Sequence, residues 1–357
     1  MAGPARGTRT DRSGRPRSTR RVVTVTGGDP LRRLTPVVRL APAKLNLTLA
    51  VVARRDDGFH TLHSVFVPLG LADRLSLAPV GGHRDTLHVT GFDAGPPADS
   101  LVFRALAGAR AAVGGGWTGG PGPAPALAVR LDKRIPVAAG LAGGSSDAAA
   151  TLDGALEAWG AELDDDARQA TAARIGSDVP FFLAGGPALI QGRGEQVVPL
   201  HGLRGRPGIV LVTPVMAVST TDVFAAFDAI RTHGDDAVRM SSVHLAEELR
   251  AGLTADNLVA RAGVLASAND LLQATSLVEP TLIPFKRALS RLLRRPIGLS
   301  GSGPTLWALY ASEAEAMATA ETVRSALGDG SLTAPGTGQP SIVATAIVGH
   351  DQQGSEG

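Results

Sequence analysis

Pro136-Val137-Ala138-Ala139-Gly140-Leu141-Ala142-Gly143-Gly144-Ser145-Ser146-Asp147-Ala148-Ala149 is a glycine loop that runs directly into an alanine-rich segment. From Ser146 to Trp159, residues Ala149, Leu152, Leu156 and Trp159 recur at helical spacing, and Gly160 supplies a stop. Leu127–Leu131, just before the loop, has the aliphatic makeup of a short strand. This order brings backbone N–H groups and the positive end of a helix dipole to one place, where phosphate can be held. Each such contact contributes only ~0.3–1 kcal/mol when exposed, so a triphosphate needs several acting together. Ser145 and Ser146 suit helix capping, phosphate contact or both, and Ser146 is a candidate magnesium ligand.

The Walker pattern is absent, because the chain has only three lysines, Lys44, Lys133 and Lys286, and none follows a glycine. Positive charge for the phosphates must come from magnesium or from another segment. Gly298-Leu299-Ser300-Gly301-Ser302-Gly303-Pro304 forms a second glycine loop ahead of the apolar Thr305–Tyr310 strand, and reads either as a tight turn or as a further phosphate contact. Gly114, Gly116 and Gly119 satisfy a dinucleotide-type spacing. They follow a helical segment, Leu101–Val113, and lead into more Gly and Pro, so the fingerprint lacks its strand and its helix.

Outside these loops, Val37–Val52 and Leu62–Leu77 read as strands around the turn Arg54-Arg55-Asp56-Asp57-Gly58, giving a hairpin. Phe181–Gln191 and Gly208–Thr213 have strand character, while Asp222–Ile230 and Thr281–Leu293 have helical spacing. The Gly- and Arg-rich turn Gly202–Gly208 divides the chain into domains over 36–205 and 206–350, between a basic extension at 1–35 and a polar tail at 351–357.

Composition narrows the function classes. With no cysteine, disulfides, thiolate nucleophiles and cysteine-held metal centres are excluded, and a cytoplasmic setting suffices. No stretch approaches the roughly 18 uninterrupted apolar residues of a membrane span. The first forty residues carry ten Arg against Asp11 and Asp29, yet lack the interleaved aromatics or binding fold of a nucleic-acid module. Val22–Asp29, after the Arg20-Arg21 pair, is too short and polar for an export signal. The expected partner is a small molecule, with no nucleic acid and no membrane, bound by a monomer or homodimer.

Three segments in order resemble the GHMP kinases, the superfamily of galactokinase, homoserine kinase and mevalonate kinase. They are Ala41-Pro42-Ala43-Lys44-Leu45-Asn46-Leu47, the Pro136–Ala149 loop, and Leu299-Ser300-Gly301-Ser302-Gly303-Pro304. Two more segments resemble the branch of that superfamily that acts on a cytidine-diphospho alcohol: Arg54–His60 with Ser64-Val65-Phe66, and Ile175–Phe182 continuing into Gly192-Arg193-Gly194-Glu195. The resemblance implies a two-domain α/β (α+β) fold with a left-handed βαβ unit in the first domain and a ferredoxin-like second domain.

It also implies ATP with Mg2+ as the phosphate donor, held by Pro136, Val137, Ala138, Ala139, Gly140, Leu141, Ala142, Gly143, Gly144, Ser145 and Ser146, and by Gly301, Ser302 and Gly303. Asp178 would take the acceptor proton and Lys44 would orient the hydroxyl and offset charge. Asn46 and Thr220 would hold the acceptor. Phe59 and His60 would receive the base, with Phe224 as a second stacking face. Phe59 stands where the family often has Tyr, Ser177 where Ala is common, and Ser100 where an adenine-contacting Asn is usual. Rival readings are a homoserine- or mevalonate-type kinase and a non-catalytic ligand-binding member of the fold.

Overall fold

The computed structural model describes residues 36–349, apart from 82, 115–116, 118–122 and 231–235. The basic extension, the polar tail and two of the three spaced glycines, Gly116 and Gly119, lie outside the described residues. Gly114 closes the first helix with φ 60°.

The first half is built on a hairpin, β1 (Val37–Arg54) and β2 (His60–Pro79), paired from Val37↔Leu77 to Arg54↔His60. Their β-branched and aliphatic residues are buried on both faces between Ala43 and Val51, which is why the alternation is weak there. The other edge of β2 is shared. Its later residues pair with β4 (Leu127–Lys133) and its earlier ones with β5 (Ala188–Gly192), which continues to β6 (Gln196–Pro199). β3 (Thr86–Gly91) lies parallel to β4, with α1 (Leu101–Val113) as the connecting helix, and this is the βαβ unit. α1, α2 (Gly143–Trp159) and α3 (Asp165–Ile175) cover the sheet through Leu106, Leu152, Trp159 and Ile175 packed on Leu75, Leu77 and Leu127. α4 (Val179–Leu183) is a short helix before β5.

In the second half a two-stranded pair, β7 (Leu203–Arg204) with β9 (Leu253–Thr254), flanks a four-stranded antiparallel sheet. That sheet contains β8 (Gly208–Thr213), β10 (Gly298–Leu299), β11 (Leu306–Tyr310) and β12 (Ser341–Ala346), in the order β10-β11-β8-β12. Between β8 and β10 run α5 (Thr220–Ile230), α6 (Asp236–Ala251), α7 (Ala255–Ala260), α8 (Ala262–Leu265), α9 (Leu271–Val278) and α10 (Leu282–Leu293), and α11 (Glu313–Gly328) joins β11 to β12. Strand, helices, hairpin, helix, strand in this sheet order is the ferredoxin-like arrangement. The halves share one core in which Leu45, Leu47 and Val67 meet Leu211, Trp307 and Ile347.

Two expectations are corrected. Phe181–Gln191 is not one strand: Pro180 sits at the start of a helical turn through Leu183, and only Ala188–Gly192 is extended. The glycine-loop helix begins at Gly143 rather than Ser146, so neither serine caps it. Its N-cap is Ala142, held at φ 54° with no side-chain cap.

A buried charged cluster fixes where the loop starts. Asp73 on β2 is fully buried, and its Oδ1 accepts from the backbone N–H of Arg134 at 2.5 Å and Ile135 at 2.8 Å, setting the exit of β4 into Pro136. Its other oxygen receives Lys133 Nζ, which also donates to Asp147 Oδ2 on α2 at 2.7 Å. Burial alone would lower the Lys133 ammonium, but Asp147 and Asp73 outweigh it and raise it. At Asp147, by contrast, burial dominates, pushing its carboxyl up to about 7 against the pull of Lys133. Removing one partner of such a cluster strands the others away from water. Asp73→Ala is therefore expected to cost about 3–5 kcal/mol of unfolding free energy in urea titrations, with Asp73→Asn, which keeps an acceptor, losing less.

Candidate active site

The helix start at Gly143 has a chemical consequence. The first N–H groups of any helix lack partners within it, and here no side chain caps them and no acidic residue stands in the first turn. Gly143, Gly144 and Ser145 line a cavity of about 490 Å3, so these donors and the dipole end face open space suited to an anion. Gly144 has nothing within 4 Å of where a Cβ would stand, which leaves its backbone approachable.

Lys44 enters from β1, at one of the irregularities in the β1–β2 register, between Pro42 and Lys44. It is 4% exposed. Its Nζ donates to Asn46 Oδ1 at 2.6 Å and to the Gly140 carbonyl at 3.1 Å, and lies 4.6 Å from the centre of the Phe66 ring. Asn46 is fixed in turn by its Nδ2, which donates to Ser64 Oγ at 3.2 Å. Burial pushes the Lys44 ammonium below its ordinary range, and the nearby Asp178 carboxylate partly opposes this.

Asp178 enters the cavity lining from the segment between α3 and α4, with Oδ2 3.9 Å from Lys44 Nζ. It occupies the N-cap position of α4 but makes no side-chain cap, so its carboxylate faces the cavity instead of its own helix. The turn of Gly194 (φ +127°) packs on the segment beside it: a Cβ there would lie 2.7 Å from the Ser177 carbonyl. That close approach gives the Gly192–Glu195 segment a structural reason to accompany Asp178.

The second glycine loop closes against the first. Ser300 Oγ donates to the same Gly140 carbonyl at 3.0 Å, and a Cβ on Gly140 (φ +73°) would stand 2.4 Å from the Ser300 carbonyl. Asn269 donates to the carbonyls of Leu299 and Gly301 at 3.0 and 2.9 Å, and Thr220 Oγ1 meets Ser302 Oγ at 2.9 Å.

Most of the expected site residues line this one cavity: Lys44, Asn46, Pro136–Gly140, Ala142–Ser145, Asp178, Thr220, Phe224 and Gly301–Gly303. Leu141 does not, since it packs into the core, 1% exposed. Ser146 is also turned inward, with a buried Oγ that has no hydrogen-bond partner. Phe59 and His60 lie off the cavity. Phe59 is half exposed beneath the Arg193 guanidinium, 5.3 Å from its ring centre, and His60 stacks on Phe224 at 4.7 Å and pairs with Asp228. Lys133 and Asp147 line the cavity without having been expected there; the signal was the scarcity of lysine, which applies to Lys133 as much as to Lys44. Ser100 lines it too, while its Oγ accepts from Val102 N and caps α1.

The model of the GHMP kinases N terminal domain matches residues 100–186. The 4-diphosphocytidyl-2-C-methyl-D-erythritol kinase of Rhodococcus jostii is 39% identical over 293 residues, covering 79% of this chain and 86% of that protein. Its counterpart in Pelotomaculum thermopropionicum is 37% identical over 275 residues, covering 77% and 89%. A crystal structure of 4-(cytidine 5'-diphospho)-2C-methyl-D-erythritol kinase superposes with TM-score 0.62 at 31% identity over 87% of this chain and all of that one. Homoserine kinase from Cytophaga hutchinsonii superposes equally well, TM-score 0.63 over 87% of this chain and 95% of that one, but at 17% identity it shares the fold alone. The level and extent of these identities place the chain in the 4-diphosphocytidyl-2-C-methyl-D-erythritol kinase family, within the GHMP kinases.

Proposed function

We propose that the chain transfers the γ-phosphate of ATP to the 2-hydroxyl of 4-diphosphocytidyl-2-C-methyl-D-erythritol. The observation that carries this reading is the convergence of Lys44 and Asp178, 3.9 Å apart, on a cavity also walled by both glycine loops. In phosphoryl transfer positioning and electrostatics supply most of the rate. The acceptor oxygen bonds to the γ-phosphorus as the bond to the β,γ-bridging oxygen breaks, and the hydroxyl proton passes to Asp178. Lys44, held by Asn46 and the Gly140 carbonyl, keeps its charge aimed at the acceptor and at the transferred group. The uncapped amides of Gly143, Gly144 and Ser145 hold the phosphates.

Magnesium belongs to the same reading as a companion of ATP. Among the described residues no group of three or more His, Cys, Asp or Glu is able to hold a metal ion by itself. The hydroxyls at hand are Ser145, on the cavity wall, and Ser146 behind it, whose Oγ has no partner. Bound there, the ion would neutralise charge on the phosphates.

Cytosine would be received at the Phe59, His60 and Phe224 end, with Asn46 and Thr220 nearer the polyol. Every residue invoked comes from one chain, so a monomer or a homodimer would serve, and ATP as donor suits the cytoplasm. Among the described residues no helix is long and apolar enough to cross a membrane.

A coupled ATP-turnover assay with the cytidine-diphospho alcohol beside homoserine and mevalonate tests the reading; faster turnover of either bare alcohol sinks it. Asp178→Asn is expected to lower kcat roughly 10²–10⁴-fold with KM little changed, because the proton acceptor matters mainly in the transition state.

Lowering of the Lys44 pKa by burial gives a pH prediction with a definite sign. The ammonium is lost at a lower pH than that of an ordinary lysine, so kcat/KM should fall on an alkaline limb below about 10.4. In Lys44→Arg the guanidinium stays charged, and the residual activity should lose that limb. An unchanged limb in the variant removes Lys44 as its source.

A further inference from the structure

His60 is a partly enclosed imidazole held through one of its nitrogens by a carboxylate. Nε2 lies 2.7 Å from Asp228 Oδ1, across from β2 on α5, and the side chain is only 8% exposed. Asp228 is itself held from the other side, its Oδ2 3.5 Å from Arg54 on β1. The ring is clamped by aromatics of the same helix: Phe224 stacks on it with centroids 4.7 Å apart and planes 22° from parallel, and Phe227 meets it edge-on at 6.3 Å. Asp228 sits one helical turn after Phe224, so one face of α5 supplies both the stacking ring and the carboxylate.

A carboxylate has no proton to give, so across this contact Nε2 must donate. In the neutral ring the proton therefore resides on Nε2, and Nδ1 is left as the acceptor. A base bonded edge to edge with Nδ1 extends the imidazole plane that Phe224 stacks on, and Phe224 also lines the cavity. Cytosine offers its exocyclic 4-amino group as a donor to such an acceptor. Uracil offers a carbonyl oxygen at the same edge, which places two acceptors against each other.

We propose that Asp228 is a positioning and specificity residue: by fixing the Nε2–H tautomer and the plane of His60, it makes the site select a cytosine over a uracil nucleotide. This rests on the function proposed above, because it takes the substrate to carry a cytidine diphosphate and to place its base at His60. Neither the glycine loops nor the Lys44–Asp178 pair has any part in it.

The test compares the cytidine-diphospho alcohol with its uridine-diphospho analogue at pH 8, above the usual histidine range. Wild type should prefer cytidine in kcat/KM by roughly a hundredfold, a hydrogen bond made in one case and an unpaired acceptor in the other. Asp228→Ala should raise KM for the cytidine substrate about tenfold and reduce the preference by a similar factor, with kcat nearly unchanged. Asp228→Asn, which keeps an oxygen for Nε2–H, should restore part of the preference. A purely structural role would lower activity toward both substrates and leave their ratio intact, and that result overturns the proposal.

A second readout needs no variant at position 228. In histidine-15N-labelled wild type, with the His60 signals assigned by their loss in His60→Gln, Nδ1 should resonate as the unprotonated nitrogen. An Nδ1–H tautomer overturns the proposal even if Asp228→Ala fails to fold. Wild type that turns over both nucleotides equally defeats this inference alone, whereas wild type inactive on the cytidine substrate defeats the proposed function and this inference with it.

Discussion

The Gly140 carbonyl joins the parts of the molecule that chemistry needs together. It accepts from Lys44 Nζ on the first strand and from Ser300 Oγ in the second glycine loop, 96 and 160 residues away in sequence. The backbone there is left-handed, and no side chain fits between it and the Ser300 carbonyl. One peptide group thus sets the spacing between the two glycine loops and the Lys44 ammonium. Because the acceptor is backbone, its place is set by the loop's own path, which Asp73 anchors upstream through two amide hydrogen bonds.

The two buried lysines of the cavity show how similar burial gives opposite chemistry. Lys133 contacts two buried carboxylates and is held charged, so it behaves as a structural counter-ion. Lys44 has one carboxylate at 3.9 Å, an amide oxygen and a carbonyl, so desolvation wins and its proton is held less firmly. The difference is the number and distance of opposing charges. A lysine neutralised twice over has little left for a ligand, while one held mainly by neutral oxygens keeps most of its field available.

Segments whose information was local were legible in the sequence. Leu101–Val113 forms a helix with the expected bounds, because alanine spacing and the Gly114 stop act within one turn. The resemblance to the GHMP kinases singled out Lys44 and Asp178 and implied that both reach one hydroxyl, whereas composition and spacing alone could not bring them together, because their 3.9 Å approach depends on the pairing of distant elements. It missed the start of α2 because Gly143 and Gly144 are poor helix formers, and their entry into the first turn is fixed by packing of Gly143 on Ile135 and Lys133. Phe181 and Phe182 looked like strand because aromatics favour sheets, yet a proline two residues into a helix overrode them. His60 was read for its own hydrogen bonds, whereas its partner Asp228 lies 168 residues on, beyond any periodicity.

The charge on the cavity wall explains why two loops of amides are needed. Among the described residues lining it, the cations are Lys44 and Lys133, and the anions are Asp99, Asp147 and Asp178, with no arginine. Lys133 is already committed to Asp73 and Asp147. A nucleoside triphosphate therefore meets one largely uncommitted side-chain cation, far short of its own charge. Oriented N–H dipoles at the start of α2 would supply part of the remainder without bringing counter-charges of their own. On the function proposed above, a divalent ion held with the phosphates would neutralise the rest, and Lys44 would then be free to act on the group in flight rather than on the ground state.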